Sequence, residues 1–441
     1  MSRSSQAVDR SAARGRAELG RVGFANAPVE SYHAVRQTTE SLTSALSDED
    51  CAVQSMPDAS PAKWHLAHTT WFFETFVLKS MVEGYKVFHP RYEYLFNSYY
   101  NTVGPMHPRP ERGMLTRPGR AEILAYRAHV DAAMERLLSA SVSSDSTRMD
   151  VVVLGLHHEQ QHQELLLTDI KHALSRNPLM PAYAGGDAPA RRAHRRTDLR
   201  WHAHDAGLRT VGADGAGFAY DNERPQHRVF AESFELASRP VSSGEIAEFI
   251  AEGGYRRPEI WLSDGWAAVR ERGWQAPLYW QLLDGAWHEL TLRGLREIDR
   301  DAPACHLSFY EADAYATWAG ARLATEAEWE TAATGRDPVG NFVESGELHP
   351  APSAADNEAE PSQMFGDVWE WTASPYVAYP GYRAAAGALG EYNGKFMSGQ
   401  MVLRGGSCAT PGSHIRATYR NFFPPDARWQ FSGLRLARDA S

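Results

Sequence analysis

Near residue 180 the sequence changes its grammar. From about 31 to 176 apolar residues recur at helical spacing, whereas beyond 200 that periodicity survives only in short pieces among dense Trp, Gly and turn residues. A chain with two such patterns has to build two cores, and 441 residues suffice for both. The stretch PLMPAYAGGDAPARRAHRR follows neither pattern, so residues 177–200 are expected to be a linker.

Four helical segments are legible in the first half: 31–46, 60–84 opened by Ser60-Pro61, 118–141 opened by Pro118, and 149–175. With one long connection, 84–117, they predict a four-helix bundle over residues 29–176, a fold whose interior can hold a metal. That connection is rich in aromatic residues and Arg, and connections of such length in compact domains are usually functional, so it is expected to line a site. Residues 201–441 predict a loop-rich α+β domain with short helices near 243–252, 309–319 and 325–334.

Residues 1–28 scatter Arg3, Arg10, Arg14, Arg16 and Arg21 among Ser, Ala and Gly without the apolar stretch of a secretory signal, and a mobile arm on a cytoplasmic protein is expected. The formal net charge of −10 argues against binding to nucleic acid or anionic lipid by bulk charge. The apolar run Val151–Leu156 falls far short of the roughly 20 residues of a membrane span. Small molecules are the expected partners, with a homo-oligomer left open. Cys51, Cys305 and Cys408 are odd in number and widely spaced, which suits buried thiols in a reducing compartment.

His158 and His162 stand four apart on the last bundle helix, so their rings share a face about 6 Å apart, a span that suits two ligands of one metal. Leu154 and Leu165 extend that face as an apolar stripe, and imidazoles buried in it need a partner. Glu164 completes an HxxxHxE string, but it sits about 200° from His162 around the helix and faces elsewhere. The third ligand has to come from another helix. His65 and His68, in SPAKWHLAHTTWFFE, are the candidates; His68 heads into Trp71 and Phe72 and is placed inward, with His65 near the surface or behind the ligands. His157 points about 100° away from His158 and is expected to be structural. Three imidazoles suit Zn, Fe, Cu or Ni alike.

WHLAH at 64–68 and HHEQQHQE at 157–164 resemble the DinB-like domain of the iron-dependent sulfoxide synthases that make ergothioneine. The second half resembles the formylglycine-generating-enzyme (sulfatase-modifying factor) domain, a C-type-lectin-like fold. The strings are FAYDNERPQHRV (218–229), RPVSSGEIAEFI (239–250), HLSFYEADAYATWAGARLATEAEWETAA (306–333), FGDVWEWTASPY (365–376), VLRGGSCAT (402–410) and YRNFF with FSGLRLAR (419–438). Each alone is weak, but their order and their fusion to a bundle are specific.

The resemblance implies a mononuclear non-haem Fe(II) on His68, His158 and His162. It implies an enzyme that joins a cysteine thiol to C2 of the imidazole of hercynine (Nα-trimethylhistidine) and oxidises the same sulfur with O2. On the loop NSYYNTVGPMHPRPERG (97–113) it implies Tyr99 and Tyr100 as proton donors, and Arg109 as the clamp for the thiol substrate's carboxylate, with Arg112 its nearest rival. A phenol is neutral at pH 7 and can give a proton, and a guanidinium offers a carboxylate a two-pronged fork. Gln161, on the metal-facing side of its helix, is a candidate to hydrogen-bond the substrate imidazole. Asn421, Phe422 and Phe423 stand where the family places residues over the substrate pocket. Other members carry Trp and Asp at the last two positions, so this chain departs from the γ-glutamylcysteine-using branch and L-cysteine is the expected thiol. Trp371, Tyr379, Tyr392 and Trp429 are candidates to face the trimethylammonium group.

Other readings fit less well. Formylglycine generation uses a pair of nearby cysteines, and Cys408 has no close sequence partner. DinB-like thiol transferases lack the second domain. A lectin-like binding protein with a structural metal leaves the inward histidines and the tyrosine loop unexplained. Ovothiol-type synthases typically carry a fused methyltransferase, which is not expected here.

Overall fold

The computed structural model describes Phe24 and residues 27–140, 146–185, 198–353, 360–385, 387–391 and 393–440. Two compact units divide it: Met1–Leu179 with Ala385–Tyr392, and Met180–Ala384 with Asn393–Ser441. The short segment at 385–392 that joins the first unit has no counterpart in the sequence expectations. Most of the arm expected at 1–28, and residues 186–197 of the expected linker, lie outside the described residues.

The first unit contains α1 (Pro28–Thr43), α2 (Ala62–Phe73), the short α3 (Tyr92–Phe96), α4 (Arg120–Ala140) and α5 (Ser146–Ser175), so the four long helices stand as expected. A π-helical turn, Glu74–Leu78, carries α2 on to Met81. Every residue of α2 is buried because it packs against both α4 and α5, and its apolar residues accordingly run all round the helix. Ser60 does not cap α2 as the sequence suggests. Pro61 holds the cap position without a side-chain bond, and the Ser60 hydroxyl instead accepts from Arg112 Nη1 at 2.9 Å. A buried guanidinium is costlier to leave unpaired than an amide at a helix end.

One cluster of charges inside the bundle is paired. Glu159 accepts from Arg36 Nη1 at 2.9 Å and from Arg127 Nη2 at 3.0 Å, and Arg36 Nε reaches Asp131 at 2.8 Å. Burial by itself would push the Glu159 carboxyl up, but the Arg36 and Arg127 guanidiniums outweigh it and hold the carboxyl down at about 2. Gly155 sits where α5 crosses α2. A Cβ there would lie 2.6 Å from a Phe73 ring carbon and 2.9 Å from one of Phe72, so glycine permits the close approach three residues before His158.

The second unit is α+β. Its strands are β1 (Trp201–His204), β2 (Gly207–Val211), β3 (His227–Ala231), β4 (Phe234–Ala237), β5 (Trp280–Leu283), β6 (Ala286–Thr291) and β7 (Gly294–Glu297), followed by β8 (Arg322–Leu323), β9 (Trp369–Pro375), β10 (Met401–Arg404), β11 (Asn421–Phe423), β12 (Ser432–Leu434) and β13 (Leu436–Asp439). They form the sheets β1-β4-β13-β8 and β11-β10-β9-β12, the hairpin β2-β3 and the meander β5-β6-β7. Helices α6 (Ser243–Ala251), α8 (Phe309–Trp318) and α9 (Glu326–Ala333) match the expected ones, and α7 (Ser263–Arg272) is additional. The matched three each open on a reciprocal cap, Ser242 with Glu245, Ser308 with Glu311 and Thr325 with Glu328, which fixes their starts. In the core, Trp369 and Trp371 of β9 flank Glu370, which pairs with Arg435 and accepts from Trp329 Nε1 at 2.7 Å.

Candidate active site

Helix α2 brings His68, and α5 brings His158 and His162, to a point where one ligand nitrogen from each lies within 4.8 Å of the other two. They are 0%, 1% and 8% exposed, respectively. His68 Nδ1 donates to the Phe96 carbonyl at 2.6 Å, and its Nε2 is buried without a hydrogen-bond partner. A carbonyl only accepts, so the Nδ1 carries the proton and Nε2 presents a lone pair. Such an orphaned nitrogen is costly unless a metal takes that lone pair. Burial first, and then the neighbouring rings, holds His68 and His162 well below the ordinary imidazole range, and burial holds His158 down at about 3. Three neutral imidazoles result, the protonation state a metal requires. Glu164 is buried but stands outside this set, as its angle around the helix demands.

Behind the ligands lies a relay that sequence reasoning missed in part. His65 is buried, with Nδ1 2.9 Å from His162 Nδ1 and Nε2 3.0 Å from Asp169 Oδ2, and the same oxygen accepts from the Ser60 backbone N–H at 2.8 Å. Of the two placements left open for His65, the one behind the ligands holds. Asp169 follows His162 by seven residues, two helical turns on the same face, and that spacing was the available signal. A carboxylate acting through an imidazole fixes the orientation of the ligand ring. Trp64 and Trp71, one turn before and after, stack on His68 with ring centroids at 4.4 and 5.5 Å. His157 packs 4.9 Å from Phe24, a structural placement.

The connection after α3 packs one ring away from this centre, against Trp71. Tyr100 is fully buried, its ring 5.6 Å from Trp71, 5.1 Å from Phe76 and 4.9 Å from Tyr99. Asn97 shapes the turn by donating from Nδ2 to the carbonyls of Tyr100 and Gly104, both at 3.1 Å. Glu391, from the segment that joins this unit, accepts from the backbone N–H groups of Asn101 at 3.0 Å and Thr102 at 2.9 Å. Burial raises the Tyr99 phenol well above its ordinary value, against the opposing Tyr100 hydrogen bond and the charges of Arg109 and Arg112, so it is protonated at neutral pH.

The two arginines differ. Arg109 is exposed and donates to the Asp58 carbonyl. Arg112 is buried, lies 3.5 Å over the Trp64 ring and donates to Ser60 Oγ at 2.9 Å and Ser98 Oγ at 3.2 Å, with Nε unpartnered and no carboxylate ion-paired to it among the described residues. Burial, followed by the like charge of Arg109, pulls the Arg112 guanidinium below its ordinary value. Gln161 is half-buried on α5.

Asn421, Phe422 and Phe423 form β11, an edge strand of the second unit, and are half-buried. Phe422 stacks on Tyr376 at 4.0 Å. Two of the aromatic candidates for a trimethylammonium group are committed to that unit's core: Trp371 donates to the Leu307 carbonyl at 2.8 Å, and the Arg420 guanidinium covers the Tyr379 ring at 3.9 Å. Trp429 is half-buried, and Tyr392 lies outside the described residues.

Residues 203–440 match the Sulfatase-modifying factor enzyme 1-like domain, and residues 31–166 match the DinB superfamily. The chain is 32% identical over 415 residues to hercynine oxygenase of Mycobacterium tuberculosis, an alignment that covers 89% of this chain and 94% of that protein. It is 33% identical over 421 residues to hercynine oxygenase of Mycolicibacterium thermoresistibile, covering 89% of this chain and 90% of that one. Formylglycine-generating enzyme of Mus musculus is 26% identical over 283 residues, 53% of this chain and 73% of the mouse protein.

Proposed function

Because this chain belongs to the hercynine oxygenase family, we propose that its three-histidine centre holds Fe(II) and that it joins the sulfur of L-cysteine to C2 of hercynine with O2, giving hercynylcysteine sulfoxide in ergothioneine biosynthesis. The observation that carries this reading is the convergence of three buried, neutral imidazoles, one with an orphaned Nε2, in a chain of this family. Ligand type alone suits several metals, and the family membership favours iron.

Iron, when bound, supplies the redox centre for O2 and a Lewis acid that favours the thiolate. The C–S bond forms as a C–H and an S–H bond break; one oxygen atom goes to sulfur and the other leaves as water, so the two substrates provide all four electrons. Tyr99 and Tyr100 hold the proton that oxygen reduction consumes, and the raised pKa of Tyr99 keeps its phenol loaded at neutral pH. Arg112, buried and short of a counter-ion, binds the carboxylate of the thiol substrate, with exposed Arg109 adding charge from the rim. Gln161, on the ligand helix, is assigned to the substrate imidazole.

Asn421, Phe422 and Phe423 bear on the choice of thiol. Two phenylalanines cannot pair with the amine of a γ-glutamyl group, and an unpaired buried ammonium costs several kcal/mol, which favours L-cysteine. The buried cysteines, none of them in a disulfide, accord with a cytoplasmic enzyme, and among the described residues no helix is long and apolar enough to cross a membrane. The test is competition. Protein reconstituted with Fe(II) and given hercynine, O2 and equimolar L-cysteine and γ-glutamylcysteine is expected to yield mainly hercynylcysteine sulfoxide by mass spectrometry. A mainly γ-glutamyl product overturns the thiol assignment, and no oxygen uptake with either thiol overturns the enzymatic reading.

A further inference from the structure

A second set of metal-binding side chains lies in the α+β unit. Glu289 comes from the middle of β6, Cys305 from the chain leading into α8, and His349 from the loop after the 3-10 turn Val343–Ser345; one ligand atom from each falls within 4.8 Å of the other two. Glu289 is 4% exposed, Cys305 2%, and the His349 side chain 15%. His349 Nε2 stands 2.8 Å from Glu289 Oε1, while its Nδ1 is buried without a hydrogen-bond partner. None of these residues belongs to the histidine centre, and none has a part in the reaction described above.

The Glu289–His349 pair and the Cys305 sulfur share one small volume. Three segments distant in sequence deliver a carboxylate, an imidazole and a thiol to one buried point, and that is a zinc donor set. We propose that Glu289, Cys305 and His349 bind one Zn2+. A thiolate ligand disfavours Mg2+ and Ca2+, which take oxygen donors, and the mixed S, N, O set suits zinc. Thiolate and carboxylate together balance the ion's charge, so the buried site is neutral.

The geometry is near what zinc requires. Bonds of about 2.0–2.3 Å in a tetrahedron set the ligand atoms about 3.3–3.7 Å apart. The 2.8 Å Glu289–His349 pair therefore opens by roughly half an ångström on binding, and the ion replaces their hydrogen bond. The Cys305 thiol proton is released to solvent as the metal enters. The ion then ties β6, the entry to α8 and the loop at His349 together, and its binding energy adds to the stability of the folded unit.

Cobalt(II) is the probe. A thiolate bound to cobalt gives a near-ultraviolet charge-transfer band that an all-histidine centre does not, so full-length protein reports this site separately from the triad. Anaerobic titration of the wild-type chain is expected to produce that band, and added Zn2+ to abolish it. Cys305→Ser is expected to lose the band, whereas Cys51→Ser, Cys408→Ser and His158→Ala retain it. Should Cys305→Ser fail to fold, Glu289→Gln and the half-buried His349→Ala serve instead, each shifting the band and its cobalt dependence. No band in the wild type, a band that survives Cys305→Ser, or one unchanged in both Glu289→Gln and His349→Ala overturns the proposal.

Discussion

His68 donates from Nδ1 to the carbonyl of Phe96 at 2.6 Å, and this one bond couples a candidate metal ligand on α2 to the segment that carries the tyrosines. Four residues separate Phe96 from Tyr100, and Asn97 between them holds the turn. The bond fixes which nitrogen of His68 faces the centre and where the loop begins.

The first expectation concerns metal content. Protein reconstituted anaerobically should hold one iron at the triad, and His158→Ala or His162→Ala should lose both that iron and turnover. Asp169→Asn keeps all three ligands but weakens the hold on His65, and so on the His162 ring. Its iron affinity should fall by about 10–100-fold, the usual effect of losing an outer hydrogen bond to a ligand. Chelator competition measures this; unchanged affinity would remove Asp169 from the relay.

Tyrosine substitution separates binding from proton transfer. Tyr99→Phe and Tyr100→Phe remove one phenolic oxygen each, and a group that acts only in the transition state lowers kcat with little change in KM. One of the two should cut C–S bond formation far more than the other and divert the enzyme toward simple thiol oxidation. Wild-type product ratios in both variants would take tyrosine out of the mechanism.

The histidine ligands were legible because helical spacing is a local signal: His158 and His162 share a face, and His68 heads into an apolar segment. The reciprocal caps on α6, α8 and α9 were local too. What escaped was long-range pairing. No pattern near Glu159 announces that Arg36 and Arg127 will close on it, and nothing in residues 385–392 signals that Glu391 will cap the backbone of Asn101 and Thr102. Ser60 was misread for the same reason, since its hydroxyl is taken by an arginine far along the chain. The placement of the histidines was carried by periodicity, the chemistry by the family resemblance, and the support of the site by contacts that exist only after folding.

Stability of the bundle rests on that hidden pairing. Glu159→Gln removes the one carboxylate that Arg36 and Arg127 share and leaves them only the more exposed Asp131 and Glu40, and breaking a buried ion pair from one side typically costs about 3–5 kcal/mol. Urea unfolding of the apo protein, followed by far-ultraviolet circular dichroism, should show a loss in this range. A change below about 1 kcal/mol, the usual size for an exposed pair, would mean that Asp131 and Glu40 suffice for Arg36 and Arg127.

The last expectation sets Arg112 against Arg109. Family resemblance points to Arg109 as the carboxylate clamp, but Arg109 is exposed and bonded to the Asp58 carbonyl, while Arg112 is buried with an unpartnered Nε. Arg112 also lies 3.5 Å over Trp64, whose ring stacks on His68, so a carboxylate on this guanidinium is held one ring away from a ligand. Burial and the charge of Arg109 both disfavour its charged form, and an incoming anion relieves both. Loss of a charge-assisted hydrogen bond is worth about 1.5–3 kcal/mol, so Arg112→Ala should raise the KM for L-cysteine by about 10–150-fold with a smaller effect on kcat. Arg109→Ala loses only an exposed charge, worth less than about 1 kcal/mol, and should raise KM by less than about fivefold. Arg112→Lys keeps the charge without the fork and should fall between. Steady-state kinetics with varied L-cysteine decides it: a larger KM effect in Arg109→Ala than in Arg112→Ala returns the clamp to Arg109 and leaves Arg112 as packing against Trp64.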